Sequence, residues 1–379
     1  MSFSRTLAVL VSVSVLLAGC AHHAARPPGP STSAGKPAAA PAPPACGDVT
    51  TLPVRDKLAQ LLMVGVKSAD DAHSVVDGYH VGGIFIGSWT DLSIFKGPLA
   101  DIAAKAGPLP LAVSVDEEGG RVSRLRSLIG EAPSPRQLAQ TQTVAQVHDL
   151  AAERGKKMRE LGITIDFAPV VDVTDATSGV IGDRSFGGDP NTVIAYAGAY
   201  AQGLRDAGLL PVLKHFPGHG HGSGDSHTGG VVTPPLSDLQ NLDLVPYRTL
   251  ITAAPVAVML GHLQVPGLTG DDPASLSPAA VQLLRNGVGY GAPPFNGPVF
   301  TDDLSSMGAI SDRYGVAEAV LRTLQAGTDV ALWVTTEEVP AVLDRLQKAV
   351  AAGELPSQRV DDALTRVATM KGRSPACGH

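Results

Sequence analysis

Eight short apolar runs recur along the chain, each separated from the next by a longer stretch of mixed polarity. They are LLMVGV (61–66), GGIFIG (82–87), LAVSVD (111–116), TIDFAP (164–169), LLPVLKH (209–215), VAVMLGH (256–262), GPVFTDD (297–303) and DVALWV (329–334). A strand with one solvated face alternates apolar and polar residues, whereas a strand covered on both faces reads as a continuous apolar run. The intervening stretches 144–162 and 193–208 carry helical spacing and close on glycine, a common helix stop. Eight buried strands alternating with helices over about 320 residues predict an α/β fold, a single (β/α)8 barrel of the TIM type. A doubly wound open sheet is the competing arrangement. It lacks the GxGxxG turn that would mark a dinucleotide site after one of the strands.

Reactive side chains gather at one end of these runs. Asp116, Lys214, His215, His262, Asp302 and Asp303 all fall at the C-terminal end, where barrel enzymes build their active sites. The fifth run leads into KHFPGHGHGSGDSH (214–227), whose glycines disfavour helix and strand and leave a pliable loop. Within it the carboxylate of Asp225 can accept from one ring nitrogen of His227. That fixes the tautomer and frees the other nitrogen to exchange a proton. His219, His221, His227 and Asp225 could also ligate zinc, but zinc sites are rigidly supported, and no metal or cofactor is expected. In the seventh run successive side chains point opposite ways, so only one of Asp302 and Asp303 can face the barrel mouth. A carboxylate there can attack an electrophilic carbon; the blander role for the pair is to cap the helix that follows. In VDEEGGRVSR (115–124), Asp116 is placed to hold vicinal hydroxyls, and Arg124 is expected at the same rim. Salt bridging among these charges is the plainer reading.

The N-terminus is of another kind. Arg5 precedes 14 uncharged residues, 6–19. That is short of the roughly 20 needed to span a bilayer and suits the core of a secretory signal. The run ends in LAGC (17–20), which resembles the lipobox of bacterial lipoproteins, where cleavage precedes the cysteine and its sulfur takes a diacylglycerol. Residues 21–46 hold 7 Pro and 9 Ala and no Val, Ile, Leu or aromatic residue, the composition of an extended tether. The reading is therefore a signal peptide at 1–19, a lipidated tether at 20–49 and a folded unit at 50–379. The protein is expected on the extracytoplasmic face of the cell membrane, anchored through lipid on Cys20. Cys46 and Cys377 then remain, one at each end of the folded unit, as partners for a disulfide in an oxidising compartment. A net charge of −7 offers no basic field for nucleic acid, and a monomer is expected.

Taken together, KHFPGHG (214–220) followed by DSH (225–227), GDRSFG (182–187) and TDDLSSMGA (301–309) resemble the β-N-acetylhexosaminidase branch of glycoside hydrolase family 3. The likeness runs from Asp56 to Asp329. It implies one catalytic barrel and a retaining exo-β-N-acetylglucosaminidase, acting on the non-reducing terminal N-acetylglucosamine of peptidoglycan fragments in cell-wall turnover. It makes Asp302 the nucleophile and the Asp225–His227 dyad the acid/base, with Asp116, Arg124, Arg184, Lys214 and His215 lining the sugar subsite. Retaining glycosidases ordinarily pair two carboxylates about 5 Å apart. A neutral histidine base repels an anionic acceptor less, so phosphorolysis is an alternative. An inactive sugar-binding lipoprotein is another, and it would not need both Asp302 and His227.

Overall fold

The structure, a computed structural model, describes residues 48–373; Cys20, Cys46 and Cys377, with the signal and nearly all of the tether, lie outside the described residues. Strands form at all eight apolar runs: β1 Leu62–Val66, β2 Gly83–Ile86, β3 Ala112–Val115, β4 Ile165–Asp166, β5 Leu210–Phe216, β6 Ala257–Leu260, β7 Val299–Thr301 and β8 Ala331–Trp333. Each strand pairs in parallel with the next from β1 to β7, and β8 pairs back onto β1. A parallel bridge between Phe300 and Val330 joins the remaining two edges, and beyond it Leu304 N donates to Leu332 O at 3.0 Å. The sheet closes on itself, as an open doubly wound sheet cannot.

Helices α1 Ala69–Tyr79, α2 Pro98–Ala104, α3 Val144–Glu160, α4 Pro190–Asp206, α5 Val245–Leu250, α6 Pro278–Asn286 and α7 Val316–Ala326 lie on the crossovers, and α8 Val339–Ala351 follows β8. A last helix, α9 Ser357–Met370, completes the ring. Helix α4 starts three residues earlier than its apolar spacing suggests. Asp189 caps it by accepting from Thr192 N at 2.9 Å, and Pro190 fills the first position, where a missing N–H costs nothing. Helices α3 and α4 pack tightly because Gly203 has no side chain; a Cβ there would stand 2.3 Å from the His148 carbonyl oxygen.

Phe85 of β2, Phe167 just after β4 and Phe300 of β7 pack ring against ring, with centroids 5.8 and 5.5 Å apart. These strands are not neighbours, so the rings can meet only inside the barrel. The interior is thus a filled core rather than a pore. Phe300 points inward, and the residue two further on, Asp302, shares its direction. The packed rings lie beneath a carboxylate at the mouth.

Candidate active site

Where the strands end, a polar cavity of about 220 Å³ is lined by Asp116, Arg124, Arg184, Lys214, His215, Asp225, His227 and Asp302, among others. The residues that the family resemblance assigns to chemistry or sugar binding are therefore brought to one place. A larger cleft of about 430 Å³ opens at the opposite end of the barrel, among Leu111, Leu210 and Met370. It gathers no carboxylates or histidines, so the chemistry belongs to the strand C-termini.

Asp302 is held at the end of β7, its backbone N donating to Leu260 O at 3.0 Å. Its Oδ1 accepts from Asp303 N at 2.9 Å. Burial alone would push its pKa up, but His215, His262 and the Lys214 ammonium beside it, with the Asp303 N–H, outweigh that and hold it below the ordinary carboxylate value. An ionised carboxylate facing a cavity is suited to attack on carbon. Asp303 does the capping: its Oδ1 accepts from Ser305 N and Oγ, both at 2.8 Å, and its Oδ2 from Ser306 N at 3.1 Å.

One flank of the cavity is built from paired charges. Lys214 Nζ lies 2.6 Å from both Asp116 Oδ1 and Glu118 Oε1. Arg184 forks onto Glu118 through Nε at 2.7 Å and Nη2 at 2.8 Å. Burial opposes both cations, yet the acids beside them hold Lys214 and Arg184 above their ordinary pKa values. His215 is oriented from behind, its Nδ1 2.7 Å from Asp172 Oδ2. This leaves Nε2 toward the cavity, 3.4 Å from Arg184 Nη2. Arg124 Nε is buried and finds no partner among the described residues. Such a flank of fixed donors and acceptors matches the hydroxyls of a sugar ring.

The opposing group sits on the glycine-rich loop. His227 Nδ1 lies 2.7 Å from Asp225 Oδ1, which also accepts from His227 N at 2.9 Å. Desolvation would raise the Asp225 pKa, and these bonds from His227 hold it below the ordinary value instead. With Nδ1 engaged, Nε2 is the nitrogen free for proton exchange. The loop rests on the segment after β7, since Gly308 N donates to His227 O at 3.2 Å and Ala309 N to Ser226 O at 3.1 Å. The other loop histidines have separate partners. His219 N donates to Asp172 at 2.7 Å, and His221 Nδ1 lies 3.1 Å from Asp243, whose pKa burial pushes up to about 6.

One expectation needs correction. His262 ends its apolar run but does not line the cavity. Its buried ring donates from Nε2 to Asp303 O and accepts at Nδ1 from Ser275 Oγ, both at 2.7 Å, so it braces the β6–β7 end. Asp172 escaped sequence reasoning, and Glu117 and Glu118 entered it only as members of a run expected to form salt bridges, which they do, with Arg154, Arg184 and Lys214. Glu117 is fully buried and accepts from Ser123 Oγ, Arg124 N, Leu125 N and Arg154 Nη2 at 2.5 to 2.8 Å. It pins the turn that carries Arg124. Glu118 and Asp172 position the cavity's cations and His215. The one sequence signal was the run Asp116-Glu117-Glu118, too many acids at a strand end for all to be solvated.

The profile of the Glycosyl hydrolase family 3 N terminal domain matches residues 53–370. The chain is 69% identical, over the full length of both, to Beta-hexosaminidase LpqI of Mycobacterium tuberculosis. It is 35% identical to a Beta-hexosaminidase of Thiobacillus denitrificans, over 74% of this chain and 80% of that one. Among solved structures, M tuberculosis LpqI superposes with a TM-score of 0.86 at 73% identity, spanning 89% of this chain and 100% of that one. A family 3 beta-N-acetylglucosaminidase from Paenibacillus sp. str. FPU-7 superposes with a TM-score of 0.79 at 33% identity, over 84% of this chain and 62% of that one. The profile match extends from Pro53, ahead of the short helix Val54–Ala59 that precedes β1, to the last residue of α9, so the chain belongs, barrel and histidine loop together, to glycosyl hydrolase family 3.

Proposed function

We propose that the chain is a retaining exo-β-N-acetylglucosaminidase. It removes the non-reducing terminal N-acetylglucosamine from peptidoglycan fragments on the outer face of the cell membrane, held there by lipid on Cys20. The observation that carries the chemistry is that one cavity is lined by both Asp302 and His227, an ionised carboxylate and a proton-exchanging ring. The full-length likeness to a beta-hexosaminidase supports the activity. Cleavage proceeds in two displacements. Asp302 attacks the anomeric carbon, the bond to the leaving oxygen breaks with its electron pair, and His227 Nε2 delivers a proton to that oxygen. Water then attacks the glycosyl ester and gives its proton to His227 Nε2, and Asp302 departs as carboxylate. Asp225 stabilises the imidazolium that precedes the first step and is restored in the second. Asp116, Arg124, Arg184, Lys214 and His215 hold the hydroxyls of the sugar being released.

The test is turnover of nitrophenyl N-acetyl-β-glucosaminide, followed by proton NMR of the first-formed sugar. The β anomer is expected first. An α product removes the double displacement, and absence of turnover removes the enzyme. N-acetylglucosamine 1-phosphate formed in phosphate buffer would identify phosphate, not water, as the acceptor.

A further inference from the structure

Trp89 is the only exposed aromatic side chain among the described residues, at 44% exposure, and it follows β2 at the catalytic end of the barrel. Its loop is pinned. Thr90 Oγ1 accepts from Gly87 N at 3.0 Å and donates to Val66 O at 2.6 Å, and Asp91 N donates to Lys67 O at 2.9 Å. The indole is seated on two strand-end glycines. A Cβ on Gly87 would meet Cη2 and Cζ2 of the ring at 2.4 Å, and one on Gly65 would meet Cζ2 at 3.0 Å. Phe85 packs from below, its centroid 6.0 Å away and tilted by 57°. A core residue would be covered, and an incidental surface residue would need no such seat.

Contacts link this ring to the reacting group. Gly65 is flanked by Trp89 and also by Val334, whose Cα stands 2.8 Å from where a Cβ would lie. Val334 N donates to Ser305 Oγ at 3.1 Å, three residues beyond Asp302. His227 is fastened near that side too, through Gly308. The charged groups that fit the sugar's hydroxyls, Asp116, Lys214 and Arg184, come from the end of β3, from β5 and from the loop after β4 and line one cavity with Asp302. Trp89 does not line their cavity.

We propose that Trp89 is the stacking platform for the pyranose ring of the leaving sugar. This rests on the exo-acting reading above: such an enzyme places no sugar beyond its blind subsite, so substrate outside that cavity belongs to the leaving half. A β-linked pyranose with equatorial substituents presents axial C–H bonds on its face, and the electron-rich indole face attracts them.

Two substrates separate the platform from the chemistry. N,N′-diacetylchitobiose leaves a sugar ring behind, whereas N-acetyl-β-glucosaminyl fluoride leaves only fluoride. In Trp89→Ala, kcat/KM should fall roughly 3- to 10-fold further for the disaccharide than for the fluoride. The loss should appear in KM, and Trp89→Phe should recover part of it. Equal losses on both substrates overturn the platform. A wild-type protein that cleaves neither substrate overturns the hydrolase reading instead, and binding then decides the platform. The chain has two tryptophans, and Trp333 is buried. Chitobiose added to Asp302→Asn should therefore shift Trp89 emission, and the shift should vanish in Asp302→Asn/Trp89→Phe. No shift on binding overturns the proposal.

Discussion

Adjacent aspartates at the end of β7 differ in chemistry because they differ in direction. Asp302 faces the cavity, while Asp303 is consumed by Ser305 and Ser306. Asp302→Asn is expected to abolish turnover and leave sugar binding, because an amide cannot form the glycosyl ester. Asp303→Asn should cost less, through a looser start to the next turn. Measured kcat values in the reverse order would move the nucleophile to Asp303. His227→Ala separates two steps. A nitrophenolate leaves without a proton, whereas a sugar alkoxide does not, so disaccharide turnover should fall by about 10²–10⁴ and the first step with nitrophenyl substrate by much less. The second step loses its base, and azide should restore it. Equal losses without azide rescue would remove His227 from the acid/base role. Among the cavity residues, Asp116, Lys214, His215 and Asp302 were legible because each closes an apolar run, and His227 because Asp225 stands beside it, whereas Arg184 was reached only through the GDRSFG resemblance. Glu118 and Asp172 were not legible as site residues. They act through Lys214, Arg184 and His215, which lie 43 to 96 positions away in sequence, or 214 − 118 = 96 for Lys214 and 215 − 172 = 43 for His215.

At the scale of elements, continuous apolar runs located all eight strands because a barrel strand is covered by the core on one face and helices on the other. Its length was less legible. β4 is regular only over Ile165–Asp166, though its run holds six; backbone bonds from Phe167 N to Val115 O and from Val212 N to Ala168 O carry the pairing on, and Pro169 has no N–H to extend it. The short hairpin at 117–123 carries no apolar alternation at all; its register is set by Glu117 accepting from Ser123, Arg124 and Leu125. The same hairpin presents Glu118 to two buried cations. Glu118→Gln leaves Lys214 paired with Asp116 only and Arg184 without a direct ion pair, and should destabilise the fold by about 3–5 kcal/mol, read by thermal or urea unfolding. The pH dependence has a definite sign. Burial would raise the Glu118 pKa, but Arg184 and Lys214 hold it well below the ordinary value. Its ionised form therefore favours the folded state above the unfolded carboxylate pKa, and that contribution fades as pH falls toward the folded value. The stability gap between wild type and Glu118→Gln should narrow below about pH 4. A gap that holds constant into acid would mean that packing, not charge, accounts for the loss.

For the whole molecule, the barrel brings its own reasons for needing an anchor if it is to stay at a membrane. A net charge of −7 gives anionic lipid nothing to attract. Among the described residues no helix is long and apolar enough to cross a bilayer. Under the proposed anchoring, retention would fall to the N-terminal segment, where one acyl chain would hold only marginally and a diacylglycerol on Cys20 would hold firmly. Anchoring and catalysis should therefore be separable. Cys20→Ala, expressed in cells, should move from the detergent phase to the aqueous phase in detergent partitioning. Its kcat/KM on nitrophenyl N-acetyl-β-glucosaminide should match that of the wild type, because Cys20 lies 30 residues before the folded unit begins, or 50 − 20 = 30. A Cys20→Ala protein still found in the detergent phase would show that something other than this thiol holds the chain. A soluble protein with reduced kcat/KM would show instead that the tether bears on the barrel.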